Sequence, residues 1–404
     1  MVSVALFVQG LALAGIVASS GSLPDRLGRV LALVVLTAAV LAAIDSPFRW
    51  TVGVGALVGG LVGTVVGLGI GVMHSVVARV DAVAAMALVA LATGLLLLVV
   101  ALSELVRGLP GWWRLLSVPV ALTVVILVLF PVTQSVYATN VPRGTDSAAT
   151  PADRGLAYEQ VMVATRDGAS LAAWYLPGSN HAAVVVLHGS GSSKESVLDQ
   201  GAVLARHGYG VLLLDARGHG GSSGYAMDFG WFGEADVSGA VDYLIRRADV
   251  DPTRIGVLGE SMGGEEAIGA LGADLRLRVV VAEGATNRIA EDRGWLPNGL
   301  NGQVQRVIDR VTYTVAGWLT SAPEPAPLRD SIAKAAPRPV LLVAAGNVPD
   351  EQAAADLMRT AAPTSVTVWV APNANHTGAL RAQPAKWTQR VTRFLDAAML
   401  PAPG

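Results

Sequence analysis

The 404-residue chain contains no cysteine and has little charge. The lack of cysteine excludes disulfides, thiolate metal sites and a cysteine nucleophile, but says nothing about the compartment. Charged residues make up 15% of the chain, whereas ordinary soluble domains carry about a quarter. The 29 basic and 31 acidic residues leave a net charge of −2. Because no basic run stands out, we expect no nucleic-acid partner.

Apolar residues make up 52% of the chain and concentrate at its N-terminal end. Short loops carrying most of the local charge separate five long apolar stretches, at residues 2–20, 30–44, 51–77, 82–103 and 115–138. About 20 apolar residues cross a bilayer, and the second stretch approaches that length only if Leu27 and Gly28 join it. These stretches predict an α-helical transmembrane bundle of about five helices at residues 1–139.

The first stretch determines the topology of everything after it. No Lys or Arg precedes Arg26, so the basic start of a signal peptide is missing and a retained first span is favoured. Arginines near the span ends then favour, five to three, a cytoplasmic C-terminal domain. The five on the side of that domain are Arg26, Arg29, Arg79, Arg143 and Arg154, and the three on the other side are Arg49, Arg107 and Arg114.

The spans contain almost no reactive groups, since no carboxylate or lysine lies at mid-depth. Transporters and pumps usually need such groups, so we do not expect a transport function. The third span carries a stripe of five glycines at every fourth position, namely Gly55, Gly59, Gly63, Gly67 and Gly71. Such a stripe lets another helix approach closely, either within the bundle or in a homodimer. The abundance of Ala, Val, Leu and Gly, with few lysines, is typical of a GC-rich bacterial genome, so we expect a multi-pass protein of a bacterial cell membrane.

Residues 140–156, rich in Pro, Ser, Thr, Asp and Gly, are predicted to form a linker. From residue 157 to 404 the pattern alternates between short β-branched runs and helix-like segments. The runs predict buried strands at 182–187, 211–215, 255–258, 278–282, 340–345 and 366–371, preceded by a hairpin of 160–165 with 170–175. This alternation predicts a mostly parallel sheet covered by helices on both faces.

The sequence Gly259-Glu260-Ser261-Met262-Gly263 directly follows a predicted strand and opens a helix. A G-x-S-x-G turn between strand and helix holds a serine in strained geometry above the sheet, because small flanking residues allow the tight turn. Ser261 is therefore the candidate nucleophile.

A second glycine-rich loop, His188-Gly189-Ser190-Gly191, follows the predicted strand 182–187. Such a loop can turn a main-chain N–H toward a developing oxyanion, and the residue after the nucleophile supplies the matching donor. We assign these two donors to the N–H groups of Ser190 and Met262. The side chain of His188 is expected to support the loop.

His376 is the one histidine beyond the last predicted strand, where a general base would meet Ser261 across the top of the sheet. In the expected chain order the acid lies between the serine and the histidine. Asp350 and Glu351 both follow the strand 340–345, and either carboxylate could orient the imidazole. We prefer Asp350.

With these motifs, residues from about 157 to 400 resemble the α/β-hydrolase superfamily, in its serine esterase, lipase and peptidase-like branch. The run from Asp215 to Ser222 (DARGHGGS) is similar to a D-x-R-G-H-G-x-S motif of that branch. The resemblance implies Ser261 as nucleophile, His376 as base and Asp350 or Glu351 as acid, with Arg217 and His219 as structural residues. The loop from Gly346 to Asp350 is one residue longer than the family's usual Gly-x-x-Asp.

A long insertion, at about residues 285–337, separates the sixth and seventh predicted strands. The resemblance implies a cap over the pocket at this position. Four of its apolar residues recur at helical spacing close to Trp318, namely Val304, Ile308, Val311 and Val315. They predict a helix packed on the sheet or, alternatively, an apolar acyl pocket or a contact with the bilayer.

Together these features predict a membrane-anchored serine hydrolase that acts on carboxylic esters of small molecules or lipids and needs no metal or organic cofactor. Two alternatives remain open. The same residues would also cleave peptide, thioester or lactone bonds, and a catalytically silent domain would serve as a scaffold on the membrane bundle.

Overall fold

The computed structural model describes residues 2–18, 23–77, 81–141 and 149–401. It divides into two compact units. The first comprises Met1–Val141 with Val307–Leu319, and the second comprises Pro142–Arg306 with Thr320–Gly404. Residues 142–148 of the predicted linker, together with Arg79 of the orientation argument, lie outside the described residues, and these seven include Arg143.

The first unit is helical. Its α-helices are α1 (Val2–Ala18), α2 (Leu23–Ile44), α3 (Arg49–Val66), α4 (Met73–Val77), α5 (Ala82–Arg107), α6 (Ser117–Val124) and α7 (Phe130–Asn140). The π-helical turns Gly67–Val72 and Val125–Leu129 make α3–α4 and α6–α7 continuous. Four segments are long and apolar enough to cross a membrane, namely Leu27–Ile44, Arg49–Val76, Ala82–Arg107 and Gly111–Asn140, and α1 is a shorter apolar helix. The predicted N-terminal bundle of apolar helices is therefore confirmed.

The glycine stripe of α3 and the turn after it is buried. A Cβ placed on Gly67 would lie 2.3 Å from Leu91 Cβ, and one on Gly63 would lie 2.6 Å from the Ala90 carbonyl oxygen. An added Cβ on Gly71 would likewise meet α5. The nearest neighbour of an added Cβ is Ala43 of α2 at Gly55 and Leu6 of α1 at Gly59. The stripe is thus used for close packing inside the bundle, and a homodimer through it stays a prediction.

The second unit is built on an eight-stranded sheet. Its strands are β1 (Glu159–Ala164), β2 (Ser170–Leu176), β3 (Ala183–Leu187), β4 (Gly210–Leu214), β5 (Ile255–Glu260), β6 (Leu277–Glu283), β7 (Val340–Ala345) and β8 (Val366–Ala371). The α-helices that follow α7 in the chain are α8 (Leu198–Arg206), α9 (Gly233–Leu244), α10 (Met262–Ala273), α11 (Leu300–Leu319), α12 (Leu328–Ala335), α13 (Pro349–Arg359), α14 (Ala379–Ala382) and α15 (Pro384–Met399).

The strand order is β1-β2-β4-β3-β5-β6-β7-β8. The β1–β2 and β2–β4 pairs are antiparallel and every later pair is parallel. All five residues of β3 are buried, with Val185 and Leu187 in one core and Val184 and Val186 in the other. Because alternate side chains point to opposite faces, this division shows cores on both faces of the sheet, as predicted.

Helix α11 lies in the predicted insertion, but its part from Val307 onward belongs to the first unit. There the Thr312 carbonyl oxygen accepts a hydrogen bond of 2.6 Å from Ser135 Oγ of α7. Ile308 is buried in this segment, whereas Trp318 is 78% exposed. The expected packing on the sheet is therefore wrong for Val307–Leu319, because this part of the helix belongs to the helical unit and contacts α7 there.

Candidate active site

Ser261 occupies a sharp turn between β5 and α10. Its backbone has φ 52° and ψ −120°, a conformation that side chains with a Cβ rarely adopt. A Cβ on Gly259 would lie 2.0 Å from the Gly263 carbonyl oxygen, and a Cβ on Gly263 would lie 2.6 Å from that of His188. Both glycines are therefore required by close backbone approach, and they hold the Ser261 hydroxyl at the carboxyl edge of the sheet, as the motif predicts.

The structure brings Ser261 and His376 together across this edge. Ser261 Oγ lies 2.9 Å from His376 Nε2, and His376 Nδ1 lies 2.7 Å from Glu351 Oε1. The pKa of His376 is raised, first by its hydrogen bond to Glu351 and further by nearby acidic charge, although burial opposes the shift. The carboxylate therefore orients the ring and favours its protonated form.

The carboxylate beside His376 is Glu351, so our preference for Asp350 was wrong. Helix α13 begins at Pro349. With this starting point, Asp350 lies on the solvent-exposed face of the helix, whereas Glu351 is buried and only 1% exposed. The second oxygen of Glu351 accepts a 2.8 Å hydrogen bond from the N–H of Ala345, the last residue of β7. The loop after β7 thus places the acid one position later in the chain, and the longer side chain of Glu351 still reaches His376.

The glycine-rich loop after β3 lies against the serine, since a Cβ on Gly189 would be 3.3 Å from Ser261 Cβ. In the part of the chain that the structure describes, the N–H groups of Ser190 and Met262 have no protein acceptor. Met262 is the first residue of α10, where N–H groups lack helical partners and the helix dipole favours negative charge. The two predicted donors are therefore available to an oxyanion.

His188 and His219 hold this loop by hydrogen bonds to its backbone. His188 Nε2 accepts a 3.1 Å hydrogen bond from the Ala216 N–H, so its proton sits on Nδ1, 2.8 Å from the Gly189 carbonyl oxygen. His219 Nε2 accepts a 3.2 Å hydrogen bond from the Gly191 N–H. Both histidines therefore act on the loop backbone, in line with the structural roles expected for them.

A cavity of about 880 Å³ opens at Ser261 and His376. Most of its remaining wall is polar and includes Gln200 of α8, Glu260 of β5 and Arg381 of α14. Both Gln200, for which no motif was present, and Gly284 were missed by the sequence analysis. A Cβ on Gly284, which has φ +71°, would lie 3.0 Å from His376 Cε1, so this glycine makes room for the imidazole. A glycine directly after a strand end was the signal available for it.

Glu283, at the end of β6, accepts a 2.7 Å hydrogen bond from the Ser261 N–H with its main-chain carbonyl oxygen. Its two carboxylate oxygens accept hydrogen bonds from the Ala379 N–H at 2.8 Å and from Trp387 Nε1 at 3.0 Å. Burial raises its pKa, against these two hydrogen bonds. Glu283 therefore anchors the segment after His376. Among the described residues, no three histidine or acidic side chains are grouped to hold a metal ion.

The solved structure of an esterase from Pyrococcus furiosus superposes with a TM-score of 0.52 and 26% sequence identity, covering 65% of this chain and 98% of that one. A sequence model of the family described as serine aminopeptidase, S33, matches residues 178–316, which contain Ser261. The second unit has the α/β-hydrolase fold. Its glycine-flanked serine and its mostly parallel sheet are the features on which the resemblance was based.

Two curated relatives match parts of the chain. An uncharacterised protein of Mycobacterium tuberculosis is 37% identical over 116 residues, which is 28% of this chain and 41% of that protein. A protein of Aspergillus aculeatus named thiohydrolase aneE is 34% identical over 134 residues, which is 31% of this chain and 41% of that protein. The chain thus spans about two fifths of the length of the curated relatives it matches.

Proposed function

We propose that this chain is a membrane-anchored serine hydrolase that cleaves carboxylic esters through an acyl-enzyme intermediate. The observation that carries the proposal is the connected set of Ser261, His376 and Glu351, with 2.9 Å and 2.7 Å between the bonded atoms. A nucleophile, a base in contact with it and a third group that orients the base are the parts that acyl transfer requires.

In the first half of the proposed reaction, His376 Nε2 takes the Ser261 proton as Oγ attacks the ester carbonyl carbon. The N–H groups of Ser190 and Met262 donate to the resulting oxyanion. His376 then returns its proton to the leaving alcohol as the C–O bond breaks. In the second half, water gives a proton to His376 as its oxygen attacks the acyl carbon. His376 then returns this proton to Ser261 Oγ as the acyl C–Oγ bond breaks, which releases the carboxylic acid.

The test is fluorophosphonate labelling of the detergent-solubilised full chain. Wild type should be labelled, and Ser261→Ala and His376→Ala should lose the label. Asp350→Ala is the matched control, because this carboxylate is exposed and Glu351 is the one bonded to the imidazole. A folded wild-type protein that takes no label would overturn the proposal and favour the scaffold role.

A substrate panel then separates ester from thioester and amide cleavage by the same residues. Thioesters belong in the panel because one relative is named a thiohydrolase. We expect the carboxylic ester to be cleaved with the highest kcat/KM. A higher kcat/KM for a matched thioester or peptide would replace the ester part of the proposal while leaving the serine mechanism intact.

Membrane anchoring is supported by four apolar segments of 18 to 30 residues. The arginine count favours a cytoplasmic hydrolase domain. Since the chain has no cysteine, a single Glu324→Cys in this domain reports its side of the membrane. A membrane-impermeant maleimide should label this variant only after the bacterial cells are lysed. Labelling of intact cells would show that the domain lies outside the cytoplasm and contradict the proposed orientation.

A further inference from the structure

One wall of the active-site cavity carries a polar pair that the proposed mechanism does not use. Glu260 is the residue immediately before Ser261, and Gln200 lies on α8. Gln200 Nε2 donates a hydrogen bond to Glu260 Oε1. Both side chains line the cavity, and each is only 6% exposed.

The pair leaves hydrogen-bonding capacity unused. Gln200 Oε1 is buried and has no hydrogen-bond partner among the residues that the structure describes. The second oxygen of Glu260 likewise receives no hydrogen bond from them. Buried polar atoms are normally satisfied, so the unpaired oxygen of Gln200, in a residue of the cavity wall, indicates a group that arrives with the substrate.

The electrostatics set the character of each open position. Burial and the neighbouring charge of Glu283 raise the pKa of Glu260 to about 8, although Gln200 and Arg381 act in the opposite direction. Near neutral pH the Glu260 carboxyl therefore retains its proton and presents an O–H donor. Gln200 Oε1 can only accept. The wall thus offers one donor beside one acceptor.

We propose that Gln200 and Glu260 form a specificity-determining subsite for a carboxamide on the acyl part of the ester. The carboxamide oxygen accepts from Glu260 while its NH₂ group donates to Gln200 Oε1. The acyl part is favoured because Glu260 adjoins Ser261, to which the acyl carbon becomes bonded. This inference rests on the proposed ester hydrolysis at Ser261. An acyl chain ending in methyl groups leaves both positions unpaired, and such sites discriminate strongly against it.

The test uses two ethyl esters of the same shape, ethyl 4-amino-4-oxobutanoate and ethyl 4-methylpentanoate, with acid release followed by pH-stat titration at pH 7. Wild type should favour the carboxamide ester by about tenfold or more in kcat/KM. Gln200→Leu and Glu260→Leu should each reduce that preference about tenfold. Glu260→Gln keeps a donor at the wall and should retain most of it. Val203→Thr, on the same helix and at the same cavity, should leave the ratio unchanged.

The outcomes separate the subsite from the reaction. If wild type cleaves both esters equally well, or if Gln200→Leu keeps the wild-type ratio, the subsite proposal is wrong and the serine hydrolase stands. Labelling by fluorophosphonate checks that each variant is folded with an active serine. If wild type cleaves neither ester and takes no label, the proposed function itself has failed.

Discussion

In the apolar unit, glycines line one face of α3 and bring α5 within backbone contact, whereas in the hydrolase domain glycines surround Ser261 and shape the loops beside it. The first set lies in helical conformation and only removes bulk. In the second set, Gly191 and Gly284 have φ of +71°, so these two supply a backbone conformation as well as space.

Polar groups differ between the two regions in the same way. The buried Gln9 of α1 donates to the Gly59 carbonyl oxygen at 2.8 Å and accepts from Thr93 Oγ1 at 3.2 Å, so it ties three helices together. At the carboxyl edge of the sheet, polar groups face a cavity instead. A substitution in the bundle should therefore change stability alone, whereas one at the sheet edge should change the reaction.

Glu351→Gln should have the largest effect. The amide keeps the shape but cannot stabilise the imidazolium or fix the reactive tautomer, so kcat should fall by about 10³-fold to 10⁴-fold. Steady-state hydrolysis of an ester by the solubilised chain measures it. Asp350→Asn, one residue away and exposed, should stay within about twofold of wild type. Equal losses in both variants would mean that the charge of this loop matters and not the contact with His376.

Gly67→Ala tests the packing role of glycine in the bundle. The new Cβ would lie 2.3 Å from Leu91 Cβ, and such overpacking costs about 1–3 kcal/mol. The thermal midpoint in detergent, followed by circular dichroism, should drop, while the specific activity of still-folded protein is retained. Gly28→Ala in α2 is the control, because nothing lies within 4 Å of its added Cβ and alanine favours a helix by about 1 kcal/mol. Equal midpoints in the two variants would contradict the packing role.

The pH profile tests the hydrolase side of the comparison. The neutral imidazole of His376 is the active form, and its pKa is raised by Glu351. The acid limb of kcat/KM should therefore lie above the ordinary histidine value of about 6.5, with a loss of about tenfold per pH unit below it. In Glu351→Gln the protonated form loses its partner, so the limb should move to lower pH. If the acid limb of Glu351→Gln stayed at the wild-type pH, groups other than Glu351 would be the ones that raise the pKa of His376.

Gln9→Leu should have the smallest effect. It removes two hydrogen bonds within the bundle, and such bonds between membrane helices contribute about 0.6 kcal/mol on average. The thermal midpoint should fall slightly and ester hydrolysis should not change. If Gln9→Leu lost activity while its thermal midpoint stayed at the wild-type value, the division of roles between the two regions would be contradicted.

Much of the fold was readable from the sequence because buried parallel strands are continuous apolar runs. β7 and β8 have the predicted bounds of 340–345 and 366–371. Ser261 and His376 were also readable, since a strand-to-helix glycine turn and the end of the last strand fix their positions at one sheet edge.

The acid of the triad and the packing of helix α11 were harder to predict from the sequence, for a physical reason. Adjacent residues on a helix point about 100° apart, so the choice between Asp350 and Glu351 depends on where α13 begins. Pro349 at its first position was the available signal. For α11, the apolar spacing predicts a buried face but not the partner, because apolar helices and a sheet present equally suitable surfaces. Gln200 had no signal, since its role comes from contact with a residue 60 positions away.

The backbone of Ser261 has a consequence for how this protein could lose its activity. Holding a residue with a Cβ at φ 52° and ψ −120° costs on the order of 1–3 kcal/mol, whereas glycine adopts it with little strain. A gene released from selection for hydrolysis would gain folding stability from Ser261→Gly in one codon change. An inactive descendant of this fold is thus expected to be more robust than its active parent, and the serine persists only while its hydroxyl is needed.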